Sequence, residues 1–129
     1  MLDRRALIGG LAAAALSLTA ASASSPQTFD AKTFAAAQAA GKPILLHITA
    51  PWCPTCKAQA PILSKLEAEP RFKDLVVLNI DFDSKKDLLR RFNVRYQSTL
   101  IMFKGKQEAG RSTGDTNAAS IESLLAKAI

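Results

Sequence analysis

The chain has 129 residues, room for one domain, and a formal charge of +6 from 17 Lys and Arg against 11 Asp and Glu. Its basic residues are scattered as pairs and singles, Lys85-Lys86 and Arg90-Arg91 among them, and its few aromatic residues sit mostly inside apolar runs. A nucleic-acid groove interleaves basic residues with exposed aromatics, so none is expected, and the charge reads as a solvated basic surface.

Met1 to Arg5 carry two arginines, and Ala6 to Thr19 hold no charge. Ala21-Ser22-Ala23 then has the small-x-small pattern of a signal-peptidase site. This succession predicts a cleaved secretory signal over residues 1–23, a mature domain over residues 24–129 and a periplasmic location. Arg4-Arg5 also allows the twin-arginine export route. An uncleaved membrane anchor is the alternative, because Leu2 to Ala23 just reaches the roughly 20 residues of a membrane span. Loss of Asp3, Arg4 and Arg5 with the signal lowers the formal charge from +6 to +5.

Ser24 to Thr28 read as a short flexible lead. Asp30 to Ala40, Ala-rich with Phe29 and Phe34 as anchors, read as a helix capped by Thr28 or Asp30 and ended by Gly41. Ile44-Leu45-Leu46-His47-Ile48, within Pro43 to Thr49, suits a buried strand. After a loop over Pro51 to Pro54, a helix is expected from Cys53 to about Ala68, with Ile62, Leu63 and Leu66 on one face and a kink at Pro61. A second buried strand falls within Asp74 to Phe82, and a short helix capped by Ser84 runs to Phe92. A third strand spans Thr99 to Phe103. Gly105-Lys106 mark a turn into a polar antiparallel strand, Gln107 to Ser112. Asp115 or Thr116 then caps a last helix over Ala118 to Ala128, with Ile121, Leu124, Leu125 and Ala128 on one face. Apolar strands alternating with helices predict an α/β fold, a central mixed sheet covered by helices on both faces.

The two cysteines, Cys53 and Cys56, are three positions apart where a strand hands over to a helix. A disulfide stabilises by closing a long loop, so a bridge across two residues is a poor staple, and redox chemistry explains the pair better. Cys53 falls at the helix start, where free backbone N–H groups and the helix dipole favour a thiolate. Cys56 follows one turn later, expected to be more buried and less reactive. The division of labour is then attack on a partner disulfide by Cys53 and resolution of the mixed disulfide by Cys56, the two ending as a Cys53–Cys56 disulfide. Pro54 suits the first helical turn. A zinc site wants four ligands where only Cys53, Cys56 and His47 are on offer, so no metal and no cofactor are expected.

Trp52-Cys53-x-x-Cys56-Lys57 with Ala60-Pro61-Ile62-Leu63 resembles the thioredoxin family. The similarity continues through Val77-Leu78-Asn79-Ile80-Asp81, Phe92-Asn93-Val94-Arg95, Thr99-Leu100-Ile101-Met102-Phe103-Lys104 and Gly114, covering about residues 29 to 129. It implies the thioredoxin fold and thiol–disulfide exchange, with Trp52, Pro54 and Thr55 around the cysteines. Cys-Pro-Thr-Cys looks like the site of exported, membrane-associated reductants of cytochrome c maturation.

Two positions depart from the family pattern. Ser98, after Gln97, stands where the family has a cis-proline facing the cysteines. A cis bond before serine costs about 3–4 kcal/mol, so the Gln97–Ser98 bond is either trans with an altered groove or cis and strained. Gln97 and Ser98 read either as bordering the substrate groove, with Gln97 backbone groups pairing to partner chain, or as a neutral loop replacement. His47 stands where the family has a buried aspartate beneath the second cysteine. It reads either as the acceptor of the Cys56 proton or as a core histidine bonded to backbone.

The resemblance and the export signal together imply a periplasmic reductase of disulfides in exported proteins, such as apocytochrome c or a peroxide-detoxifying enzyme, recharged by a membrane-embedded electron donor; a monomer is expected. Pro54-Thr55 places no charged histidine between the cysteines, which favours reductase over a dithiol oxidase of the same fold. The alternative of another class is a client-binding chaperone or assembly factor.

Overall fold

The computed structural model describes residues 25–129. The expected signal of residues 1–23, with its export route or anchor, lies outside the described residues. Among the described residues no helix is long and apolar enough to cross a membrane. In chain order the elements are β1 (Gln27–Thr28), α1 (Ala31–Ala39), β2 (Pro43–Thr49), α2 (Pro54–Glu67), a 3₁₀ turn (Pro70–Phe72), β3 (Val76–Asp81), α3 (Lys86–Arg91), β4 (Thr99–Lys104), β5 (Gln107–Thr113) and α4 (Ala118–Ala126).

The sheet is mixed, in the order β1-β3-β2-β4-β5. Central β2 runs parallel to β3, with His47 opposite Asn79, and antiparallel to β4, with His47 opposite Leu100. Its residues Ile44 to Ile48 are all buried, as a strand covered on both faces requires. Strand alternation divides them between two cores. Ile44, Leu46 and Ile48 pack with Phe34 of α1, Leu89 of α3 and Phe103. Leu45 packs with Leu63 and Leu66 of α2, Phe72, and Ile121 and Leu125 of α4. His47 shares the parity of Leu45, which turns it toward α2.

Several local expectations change. Residues 27–28 pair with Leu78 and Asn79 as a parallel edge strand instead of a flexible lead. Ser84 does not cap α3. Its N–H and hydroxyl both donate to Asp81 Oδ2, closing a turn, and α3 starts two residues later. The last helix is capped by Asn117, whose side chain accepts from the Ser120 N–H, while Asp115 accepts from the Asn117 N–H and the Ser120 hydroxyl. Asp30 caps α1 as expected. Helix α2 contains Pro61, where the ring removes one backbone hydrogen-bond donor. The two-residue turn between β4 and β5 requires a left-handed residue, supplied by Gly105 at φ 57°.

The core beneath α1 and α3 is closed by aromatic rings. Phe34 lies edge-on to Phe92 and Phe103 at centroid distances of 5.4 and 5.5 Å, and Phe29 tilts against it at 5.5 Å. Phe34→Ala should therefore cost about 3–5 kcal/mol. The check is a lower urea midpoint at unchanged slope.

Candidate active site

Strand β2 ends beside β4, and the chain turns through Ala50 to Trp52 into α2. Cys53 is the N-cap of α2, and its sulfur accepts from the Cys56 N–H at 3.1 Å. A side-chain acceptor at that position satisfies one of the helix's orphan donors, here with sulfur in the role usually taken by oxygen. Pro54 occupies the first helical turn, exposed, and Thr55 is half-buried. Both cysteines are free thiols.

Cys56 is set deeper in the protein than Cys53, as expected, although little of either residue is exposed. Cys53 is 1% exposed and Cys56 5%, because Ala50, Phe82 and Ser98 cover Cys53 from the side. Hydrogen bonding separates them further. Burial pushes the Cys53 thiol up, but hydrogen bonds from the Cys56 thiol, the Ser98 hydroxyl and the Cys56 and Thr55 N–H groups outweigh it and hold the thiol below its ordinary range. Burial pushes Cys56 up, the neighbouring Cys53 adds to this, and Ser98 only partly offsets it. The asymmetry of attacking and resolving thiols is thus present, from burial at Cys56 and from hydrogen bonding at Cys53.

Ser98 is more than a groove residue. Every peptide bond among the described residues is trans, and Ser98 takes φ 62° in the left-handed region. Its N–H donates to the Ile48 carbonyl at 2.8 Å, a bond a proline could not make. Its hydroxyl lies 3.1 Å from both Cys53 Sγ and Cys56 Sγ. Gln97 is half-buried beside it and stands outside the sheet pairings, next to exposed Tyr96. Trp52 is 55% exposed and anchored by its indole N–H, which donates to Asp83 Oδ2 at 2.8 Å. That bond ties the indole to the segment that follows β3.

His47 is buried, and its partner is a side chain, not backbone. Gln59 Nε2 donates to the carbonyls of Ser98 at 3.1 Å and Asp115 at 2.9 Å. Its oxygen therefore faces His47 Nε2, at 3.0 Å. An amide oxygen only accepts, so Nε2 carries the ring hydrogen and Nδ1 keeps the lone pair. Burial holds His47 below its ordinary value, only partly offset by the bond to Gln59, and the ring is neutral near pH 7.

His47, Cys56, Lys57, Glu67 and Asn79 line one cleft of about 300 Å³ under α2. Glu67 has no counterpart in the sequence-based reading. It is 4% exposed, its Oε1 has no hydrogen-bond partner, and burial raises its carboxyl to about 7. Asn79 Oδ1 in the same cleft is likewise unpartnered. The sequence did carry a signal: Cys56, Gln59, Leu63, Leu66 and Glu67 share the buried stripe of α2, two of them polar residues at apolar positions. Among the described residues no three of His, Cys, Asp and Glu are gathered to hold a metal ion.

A dithiol at a helix N-terminus, with one thiol's affinity for its proton lowered and the other's raised, defines a thiol–disulfide exchange protein. The thioredoxin family pattern matches residues 25–127. The thioredoxin of Mycobacterium tuberculosis (strain H37Rv) is 38% identical over 80 residues, 62% of this chain and 68% of that protein. The bifunctional thioredoxin reductase/thioredoxin of Mycobacterium leprae is 35% identical over 92 residues, 71% of this chain but 20% of that longer protein. The crystal structure of Trxlp from Edwardsiella tarda EIB202 superposes with a TM-score of 0.76 at 40% identity, over 78% of this chain and 98% of that one. The chain belongs to the thioredoxin family and is a thioredoxin-type thiol–disulfide oxidoreductase.

Glu67 makes stability depend on pH. Its folded-state affinity for a proton exceeds the ordinary one, so its neutral form contributes fully below about 4.5 and the contribution is lost as pH rises through about 7. Glu67→Gln should equal the wild type near pH 4.5 and exceed it by on the order of 1–3 kcal/mol at pH 8. Urea midpoints at the two pH values measure this, and a difference that does not grow with pH would place an ordinary carboxylate there.

Proposed function

We propose that this oxidoreductase works in the periplasm as a monomeric reductant of disulfides in exported proteins, and that a membrane-embedded donor returns its electrons. The location rests on the basic, apolar and small-residue succession of residues 1–23. The direction of electron flow rests on one observation at the site. The groups that favour the Cys53 thiolate are a thiol, a hydroxyl and backbone N–H groups, with no cation among them. Neutral donors stabilise a thiolate less than an adjacent positive charge does, so the dithiol is not strongly favoured over the disulfide and can give its electrons away. Exposed Trp52 and Tyr96, with Gln97 between Tyr96 and the buried Ser98, form the face a partner chain would meet. Gln97 backbone groups offer that chain strand-like hydrogen bonds.

In this reading Cys53 attacks the partner disulfide, and Cys56 resolves the mixed disulfide after losing its proton to His47 Nδ1 across the cleft. The reduction potential of the Cys53–Cys56 pair, from equilibration with a thiol buffer and alkylation of free thiols, is expected below roughly −210 mV. A value near about −120 mV would make the chain a dithiol oxidase. Exchange should vanish in Cys53→Ser; a Cys53→Ser protein that still rescued a deletion strain would indicate a client-binding chaperone or assembly factor.

The role of His47 is tested by the release of partner from a mixed disulfide as a function of pH. His47→Leu should slow release severalfold around neutrality and remove the inflection that the imidazole contributes. An unchanged profile would leave His47 as a core residue that holds Gln59.

A further inference from the structure

Ser98 Oγ touches both reacting sulfurs at 3.1 Å, and Ser98 is 2% exposed. Its backbone has little freedom. The N–H is bound by the Ile48 carbonyl, and the carbonyl accepts from the Gly114 N–H at 3.0 Å and from Gln59 Nε2. The left-handed φ of 62° is uncommon for a residue with a side chain, and such conformations persist where the surroundings over-determine them, often at functional sites. What remains free is the hydroxyl hydrogen. A hydroxyl has one hydrogen and two lone pairs, so it can donate to only one sulfur at a time while accepting from the other.

We propose that the Ser98 hydroxyl is a catalytic group of the exchange reaction, a donor that follows the negative charge from Cys53 Sγ to Cys56 Sγ. The proposal deepens the reading of the site as a disulfide reductant and rests on it. Exchange starts from the form of the dithiol in which Cys53 has given its proton to solvent. Ser98 donates to the resulting thiolate, and the Cys56 S–H is shared between Cys53 Sγ and Ser98 Oγ. The Cys53 thiolate attacks one sulfur of the partner disulfide. A Cys53–partner S–S bond forms, the partner's own S–S bond breaks, and the first partner sulfur leaves with the bonding pair and is protonated by water. Cys53 Sγ is now neutral and a weak acceptor. The hydroxyl turns to Cys56 Sγ, which loses its proton into the cleft lined by His47, Lys57 and Glu67. The Cys56 thiolate attacks Cys53 Sγ, the Cys53–Cys56 bond forms, and the second partner sulfur leaves with its pair and is protonated in turn. Two electrons pass from the cysteine pair to the partner, and the protons given up by the two cysteines balance those taken by the two partner thiols.

The titratable groups around the hydroxyl are Cys53 and Cys56 themselves, with His47 from β2 and Lys57 and Glu67 from α2 in the adjoining cleft. Loss of a hydrogen bond to a charged acceptor changes an equilibrium or a rate by about tenfold or more. The test compares wild type with Ser98→Ala and Ser98→Gly. Glycine accepts the left-handed backbone without strain, so any effect common to both variants belongs to the hydroxyl. Thiolate absorbance at 240 nm against pH reads Cys53. Quenched-flow release of a chromogenic thiol from the mixed disulfide reads Cys56. Both variants should need about tenfold less acid to protonate Cys53, and both should release the second thiol about tenfold more slowly. Wild-type behaviour in both variants overturns the proposal, as does a defect in Ser98→Ala that Ser98→Gly lacks, which would belong to the backbone. Absence of Cys53-dependent exchange in the wild type itself would instead overturn the underlying reading of the site.

Discussion

Gln59 holds the site in one piece. It is fully buried on α2, and its amide reaches three other parts of the fold: His47 on β2, the Ser98 carbonyl before β4 and the Asp115 carbonyl before α4. A buried amide left unbonded is costly, so the three bonds are fixed together or lost together. Their geometry sets the tautomer of His47, and it pins Ser98 where its hydroxyl meets both sulfurs. Cys53 and Cys56 are placed by the same helix, so the distance between nucleophile, hydroxyl and histidine depends on how α2 lies against the edge where β2 and β4 meet.

The chemistry that this frame supports is an unequal partition of one negative charge. The two sulfurs differ because one caps a helix and collects hydrogen bonds, while the other is set deeper and faces a cleft whose polar groups are only partly satisfied. Burial by itself would push both thiols up. Directed donors reverse that push at Cys53, and donors can be redirected in a way that burial cannot. This matters for a reaction in which the charge must sit first on Cys53 and later on Cys56.

Much of this was legible in the sequence because it depends on local pattern. The continuous apolar run of β2, the Cys-x-x-Cys at a strand-to-helix boundary and the capping residue Asp30 each have a mechanism that acts within a few residues. Edge strand β1 was not legible: two residues carry no periodicity, and Gln27 and Thr28 are held in the sheet only by β3. Ser84 is a good cap by composition, but Asp81 three residues earlier competes for its N–H and hydroxyl. Gln59 and Glu67 sat on the apolar stripe of α2 in plain view, yet the partners of Gln59 lie 12, 39 and 56 residues away and Glu67 Oε1 has none. Ser98 was singled out only as a departure from a family pattern. That a trans bond and a left-handed φ would aim its hydroxyl at both sulfurs follows from the tertiary register of β2 and β4.

Reactivity and reducing power pull against each other at such a site. Every hydrogen bond that stabilises the Cys53 thiolate also stabilises the dithiol relative to the disulfide, which makes the pair a weaker reductant. A proline at position 98 would give no hydroxyl and no N–H, whereas serine gives both: the N–H goes to the sheet and the hydroxyl to the sulfurs. The serine therefore adds thiolate stability that a reductant must offset. The Cys56 side supplies an offset of the right sign. Its thiol is disfavoured as an anion by burial and by Cys53, and the cleft beside it holds a carboxyl that resists ionisation up to about pH 7. A dithiol whose second member is reluctant to ionise gains less from the reduced state than two easily ionised thiols would. The balance between a hydroxyl that serves both sulfurs and a cleft that disfavours charge near one of them sets which way electrons run through Cys53 and Cys56.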